Sequence, residues 1–155
     1  MKASIFALIF GIMITSHCSG QCWKEIRCGH SHVLAIKSDG SLWAWGYNYF
    51  GQLGNEDTVN TSSVYPVKVG IDTNWKSVDC GDMFSAGIKS NGTLWTWGYN
   101  NHWALGNGTT WDTNCPKRID LDTNWSQVYS GASHCLAIKS NGTLWAWGHN
   151  AYGQL

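Results

Sequence analysis

Cys28-Gly-His-Ser-His32 sets one thiol and two imidazoles at alternate positions. Thiolate and imidazole are the donors that zinc takes at about 2.0–2.3 Å, so this run is the first place to look for a metal. The chain repeats, and the matching positions are Cys80, Asp82 and Phe84 in a second copy and Ser130, Ala132 and His134 in a third. A scaffold that returns without those donors is using them structurally. The run therefore reads as a hydrogen-bonded histidine, and no metal is expected. Cys28 and Cys80 are expected as small buried residues rather than as a disulfide, which needs Cα atoms within about 7 Å.

Other chemistry is thinly represented. Glu56 and Asp57 adjoin in a loop, weak ground for acid–base pairing. Asp72 and Asp122 recur three residues before a Trp, as turn-forming residues do. No Ser-His-Asp or Cys-His pattern has a supporting local signature, and there is no glycine-rich phosphate loop. The sequence points away from an enzyme and implies no cofactor. Asn60-Thr-Ser, Asn91-Gly-Thr, Asn107-Gly-Thr, Asn124-Trp-Ser and Asn141-Gly-Thr match the glycosylation triplet, but two of them are turns of the repeat.

Residues that differ between copies are where binding is expected. These are Tyr47, Tyr49 and Phe50 in the first copy, Tyr99 and His102 in the second, and His149 in the third. Trp103 and Trp111 fall outside the Trp positions that all copies share. Exposed loop aromatics are favoured contact residues at interfaces. The competing expectation is that they pack between repeats.

The elements that must position these side chains follow from the repetition. Trp23, Trp75 and Trp125 open units that all contain Ile-Lys-Ser-(Asp/Asn)-Gly-(Ser/Thr)-Leu-Trp-(Ala/Thr)-Trp-Gly. A period of about 50 residues marks one structural unit stacked on itself, as in propellers and solenoids. His32–Lys37 and Leu42–Trp45 flank Asp39-Gly40, a strong hairpin signal that returns as Asn91-Gly92 and Asn141-Gly142. Short strands precede it at 24–28, 76–80 and 126–130. Pro66 and Pro116 suit the start of an outer strand. Four strands per unit is the number a propeller blade requires. Trp43 and Trp45 share one face, with Leu42 and Ala44 opposite. In the first arm His32, Leu34 and Ile36 oppose Val33 and Ala35. This predicts one bulky and one small face, the Trp face of each blade seated on its neighbour's small face.

The chain has 155 residues, with 10 basic and 10 acidic side chains, so it lacks a basic footprint for nucleic acid. Met1-Lys2, an apolar run from Ala3 to Ile14 and a small polar stretch to Gly20 have the three-part form of a secretory signal peptide. The run is too short for a membrane span, which needs about 20 residues. The expected organisation is a signal peptide at 1–20, then repeats at 22–73, 74–123 and 124–155, the last truncated. The expected location is secreted or cell-surface.

Gly-x-x-His-x-Leu-Ala-Ile-Lys-x-Asp-Gly-x-Leu-Trp-Ala-Trp-Gly-x-Asn-x-x-Gly-Gln-Leu-Gly at Gly29–Gly54 resembles the regulator of chromosome condensation repeat. It returns in altered form at Gly81–Gly106 and Gly131–Leu155. The resemblance implies a seven-bladed β-propeller, a family of mostly binding platforms, and one branch that exchanges nucleotide on a small GTPase. It also includes secreted bacterial members. Three copies imply an all-β, incomplete propeller of about three four-stranded antiparallel blades, a fragment of something longer. Departures are Phe84 in place of His32 and His134, and Trp103-Ala104 in place of Gly51-Gln52. The expected function is non-catalytic recognition of a protein partner through loops. Carbohydrate binding and guanine-nucleotide exchange are the alternatives.

Overall fold

The computed structural model describes residues 6–9, 12–15, 22–57, 59 and 61–155. Phe6–Ile9 (β1) and Ile12–Thr15 (β2) pair as a short antiparallel hairpin. The rest of the expected 1–20 signal peptide, and Asn60 of the first glycosylation triplet, lie outside the described residues. The first blade orders Trp23–Cys28 (β3), His32–Lys37 (β4), Leu42–Gly46 (β5) and Ser63–Lys68 (β6) as an antiparallel sheet. The second does the same with Trp75–Cys80 (β7), Phe84–Lys89 (β8), Leu94–Gly98 (β9) and Thr113–Arg118 (β10). The third holds three strands, Trp125–Ser130 (β11), His134–Lys139 (β12) and Leu144–Gly148 (β13). Among the described residues no helix is long and apolar enough to cross a membrane.

Local chemistry makes the hairpins. Ile36 pairs with Leu42, and Lys37 N–H donates to the Ser41 carbonyl, leaving a three-residue loop. Only Gly40 has positive φ (78°), while the Asp39 carboxylate accepts from Ser41 N–H at 2.9 Å and Ser41 Oγ at 2.6 Å. This is a type I turn closed by a left-handed glycine, so of the Asp-Gly pair only the glycine takes a positive φ. Gly40 is also pressed on the next linker, since a Cβ there would stand 2.1 Å from the Thr73 carbonyl oxygen. The Gly40 carbonyl accepts Trp75 N–H, and that of Gly92 accepts Trp125 N–H, at 3.1 and 3.0 Å. Each hairpin thereby fixes the first residue of the following blade.

The sheets stack through unlike faces. Trp75, Trp97 and the half-buried Trp95 of the second blade pack on Leu34, Ile36, Leu42 and Ala44 of the first. Trp125 and Trp147 of the third pack likewise on Ala86, Ile88 and Leu94 of the second. The expected receiving face is right for Leu42 and Ala44 but wrong for the small residues of the hairpin's first arm. Ala35 lies directly across from Trp43, and Gly87 from Trp95, on the indole face itself. The small residues make room for their own blade's indoles: a Cβ on Gly87 would come within 2.7 Å of the Trp75 ring. What receives the neighbour's indoles is an aliphatic face. Trp97 and Trp147 also donate their indole N–H to the preceding blade, at the Gln52 and Ala104 carbonyls, both 3.0 Å.

Within each blade two indoles flank a lysine. Lys89 Nζ sits 3.6 Å from the Trp95 ring centre and 4.9 Å from that of Trp75, and 2.7 Å from Asp72 Oδ2. Lys139 lies over Trp125 and Trp145 and pairs with Asp122. Lys37 lies over Trp23 and Trp43. The two aspartates are thus ion-pair partners of a buried ammonium. Cys28, expected buried, is exposed, whereas Cys80 is buried. Cys80 packs on the preceding blade, but Cys28 lies on the first blade's indole face, which no sheet covers among the described residues.

The two blade interfaces carry different chemistry at one position. Ser85 Oγ donates to the Gln52 carbonyl at 2.8 Å, so it accepts the His32 Nε2–H at 2.9 Å. Cys28-Gly-His-Ser-His32 is therefore no single strand: Gly29 N–H bonds to the His32 carbonyl across a turn, and His32 turns inward. At the next interface Phe84 and Cys135 hold the equivalent places. Burial holds the His32 pKa down at about 4. An unfolded imidazole, with its ordinary pKa of about 6.5, takes its proton first. His32 thus contributes stability in full above about pH 6.5 and loses it as pH falls toward 4, on the order of 3 kcal/mol in all. The matched double variant His32→Phe with Ser85→Cys, patterned on the second interface, should flatten that loss. Thermal unfolding of both proteins at pH 7 and pH 4.5 checks this, and an unchanged difference between the two pH values contradicts it.

Candidate functional site: an aromatic rim

The loops joining the third and fourth strands emerge on the same end of the blades as those joining the first and second. Tyr47 and Tyr99 N–H bond to the Ser31 and Met83 carbonyls across that end. Each long loop is organised around one asparagine. Asn100 Oδ1 accepts Leu105 N–H at 3.0 Å, and Nδ2 donates to the Thr109 and Trp111 carbonyls at 2.8 and 3.2 Å. Asn48 does the same for Leu53 and Thr61, and Asn150 Oδ1 accepts Leu155 N–H. Asn48 and Asn100 are fully buried. These hubs were not expected as functional, yet the signal was present: the same Asn, two residues after Trp-Gly, in all three copies.

The eight residues proposed from sequence all fall on this rim. Tyr47 stacks on Tyr49 at 6.4 Å, Tyr49 meets Phe50 edge-on at 5.1 Å, and Phe50 meets Tyr99 at 4.2 Å across the boundary between blades. The His102 and His149 rings lie 4.5 Å apart, spanning the next boundary. Tyr152, at the end of the same varying stretch in the third copy, extends the line from His149 at 6.1 Å. Phe50, Tyr99 and His149 are half-buried, so packing between blades holds for part of the set. Trp103 and Trp111 are 60% and 78% exposed.

Trp103 occupies an unusual backbone position. Gly51 and Gly153, its counterparts, have φ of 78° and 76°, and Trp103 keeps φ 59° with His102 at 58°. A bulky residue in this region is an outlier that costs on the order of 1 kcal/mol or more. A short 3₁₀ turn, Asn101–Trp103, carries it, and the indole projects into solvent. Between Trp103 and Trp111 lies an open groove of about 400 Å³, whose lining includes Tyr99, Asn101, His102 and Asp112. A smaller cleft of about 190 Å³, lined by Asp82, Met83 and Ser133 among others, shares Tyr99 and Asn101 with it.

The family model described as the regulator of chromosome condensation (RCC1) repeat matches residues 39–88 and 91–138. A second model of the same description matches 23–52, 75–102 and 125–154. The chain belongs to the RCC1 repeat family. Among its relatives, an X-linked retinitis pigmentosa GTPase regulator homolog of Caenorhabditis elegans is 38% identical over 88 residues, 55% of this chain and 6% of the relative. The ultraviolet-B receptor UVR8 of Arabidopsis thaliana is 32% identical over 94 residues, 61% of this chain and 21% of the relative. In fold the chain is similar to human WBSCR16, with a TM-score of 0.80 at 20% identity over 90% of this chain and 36% of that one. It is also similar to yeast RCC1 (Prp20) solved with Kap60, with a TM-score of 0.74 at 21% identity over 91% and 33%. The chain therefore spans about a third of these solved structures and about a fifth or less of these curated relatives. The shared RCC1 pattern accounts for the indoles, the hairpins and the asparagine hubs, whereas Trp103 and Trp111 stand outside it.

Asn100→Ala should release the second loop alone. It strands Leu105 N–H without its acceptor, at a cost of about 1–3 kcal/mol. Hydrogen exchange should accelerate over residues 100–112 while β7, β8 and β9 keep their protection. Uniform acceleration across the second blade would contradict the loop-organising role.

Proposed function

We propose that this chain is a non-catalytic binding scaffold, exported from the cell, that recognises a protein partner through the aromatic rim of its long loops. The observation that carries this reading is Trp103, an indole held in a glycine's backbone position and turned to solvent beside Trp111. Backbone strain beside exposed aromatics is the pattern of a contact site rather than of a core. Yeast RCC1 (Prp20), a propeller of similar fold, was solved bound to Kap60. The apolar run from Ala3 to Ile14 between Met1-Lys2 and a small polar stretch supports export. Carbohydrate binding is the second reading, favoured by the open groove between two indoles.

Capture of partners from culture medium and cell surface separates these ideas. The double variant Trp103→Ala, Trp111→Ala should lose capture about ten-fold or more, as removal of hot-spot aromatics does. Thermal unfolding should be little changed, because both indoles are exposed. Undiminished capture by the double variant overturns the rim assignment. Accumulation of the full-length chain inside the producing cell, with none outside, overturns export.

A further inference from the structure

The chain shows how it holds a cation away from water. Lys89 is almost fully buried between the Trp75 and Trp95 rings, with the Asp72 carboxylate at its ammonium. Lys139 repeats the arrangement with Trp125, Trp145 and Asp122. Two indole faces and one carboxylate are what this sequence uses, because ring quadrupole and carboxylate together replace the hydration of an ammonium.

The groove on the rim assembles the same set without a cation. Trp103 and Trp111 are joined there by Tyr99 and Asp112, and none of its lining residues is Lys or Arg. Asp112 Oδ1 accepts Asn100 N–H at 2.7 Å. Among the described residues no other hydrogen bond or ion pair reaches that carboxylate. The adjoining cleft adds Asp82 and again no Lys or Arg. The surface is thus aromatic and acidic where the interior sites are aromatic, acidic and filled.

We propose that the groove between Trp103 and Trp111 takes a cationic side chain, arginine or lysine, from the docked protein, with Asp112 as its counter-ion. This rests on the reading that the rim docks a protein, and names the chemistry of the anchor. Arginine suits it best, since a planar guanidinium can lie on an indole while pairing a carboxylate.

The test uses the whole chain and a capped pentapeptide with one arginine between glycines, against its twin with glutamine in arginine's place. Nitrogen-resolved NMR follows the Trp103 and Trp111 indole N–H signals. The arginine peptide should move both and saturate at millimolar concentration, and the glutamine peptide should move neither. Asp112→Asn keeps an oxygen for Asn100 N–H, which its unchanged amide signal would verify. It should weaken the arginine peptide about three-fold or more, and Trp111→Ala about five-fold. Equal response to both peptides, or to neither, overturns the cation site. If partner capture still depends on Trp103 and Trp111, the docking reading then survives alone; if it does not, both fall. Indole shifts with an N-acetylglucosamine oligomer but not with the arginine peptide overturn the proposal in favour of a glycan.

Discussion

Stability in this chain depends on indoles seated against aliphatic side chains of the blade before. Trp75 and Trp97 are nearly or fully buried only because Leu34, Ile36, Leu42 and Ala44 lie beneath them. Trp125 and Trp147 repeat the contact one blade later. Each such aromatic buries on the order of 150–250 Å², so a blade deprived of its neighbour forfeits most of its core. The contrast is visible at the ends of the array. Ile26, which matches the buried Val78, is exposed on the first blade, and Leu144, which matches the buried Leu94, is exposed on the third.

That contact also explains the buried charge. An ammonium in a protein interior is costly unless paired. Lys89 and Lys139 meet the cost with two rings and a carboxylate drawn from the linker between blades. Arg27 and Asp79 add a weaker link where β3, β7 and β11 converge, and Asp79 also accepts Ser130 N–H at 2.5 Å. Burial raises the Asp79 pKa, which sets that carboxylate apart from the turn residues Asp39 and Asp57, whose pKa values their hydrogen bonds to neighbouring residues hold down.

The strands were legible because their causes are local. Asp-Gly and Asn-Gly announce the hairpins, and the expected bounds differ from β3 to β13 mainly by one or a few residues at the ends. The faces were legible only within a strand. Alternation assigns Trp43 and Trp45 to one side, but which residues of β4 join them depends on the three-residue loop, and that register puts Ala35 and Val33 there. The lysine sites escaped because their meaning lies in partners distant along the chain, such as Asp72 with Lys89, whereas the asparagine hubs bond within their own loops and were signalled by the recurring Asn. The rim was legible through difference. Trp103 in place of Gly51 is a departure that a repeat makes visible, while its left-handed backbone emerges only in three dimensions.

His32 with Ser85 and Phe84 with Cys135 have one more consequence, for how such an array changes over generations. Each unit carries one half of a contact forward and one half of another back. A copy inserted out of place would set imidazole against thiol, or phenyl against hydroxyl. Duplication is therefore tolerated best when it moves a matched junction rather than a whole repeat, and the heritable module of this protein straddles two blades.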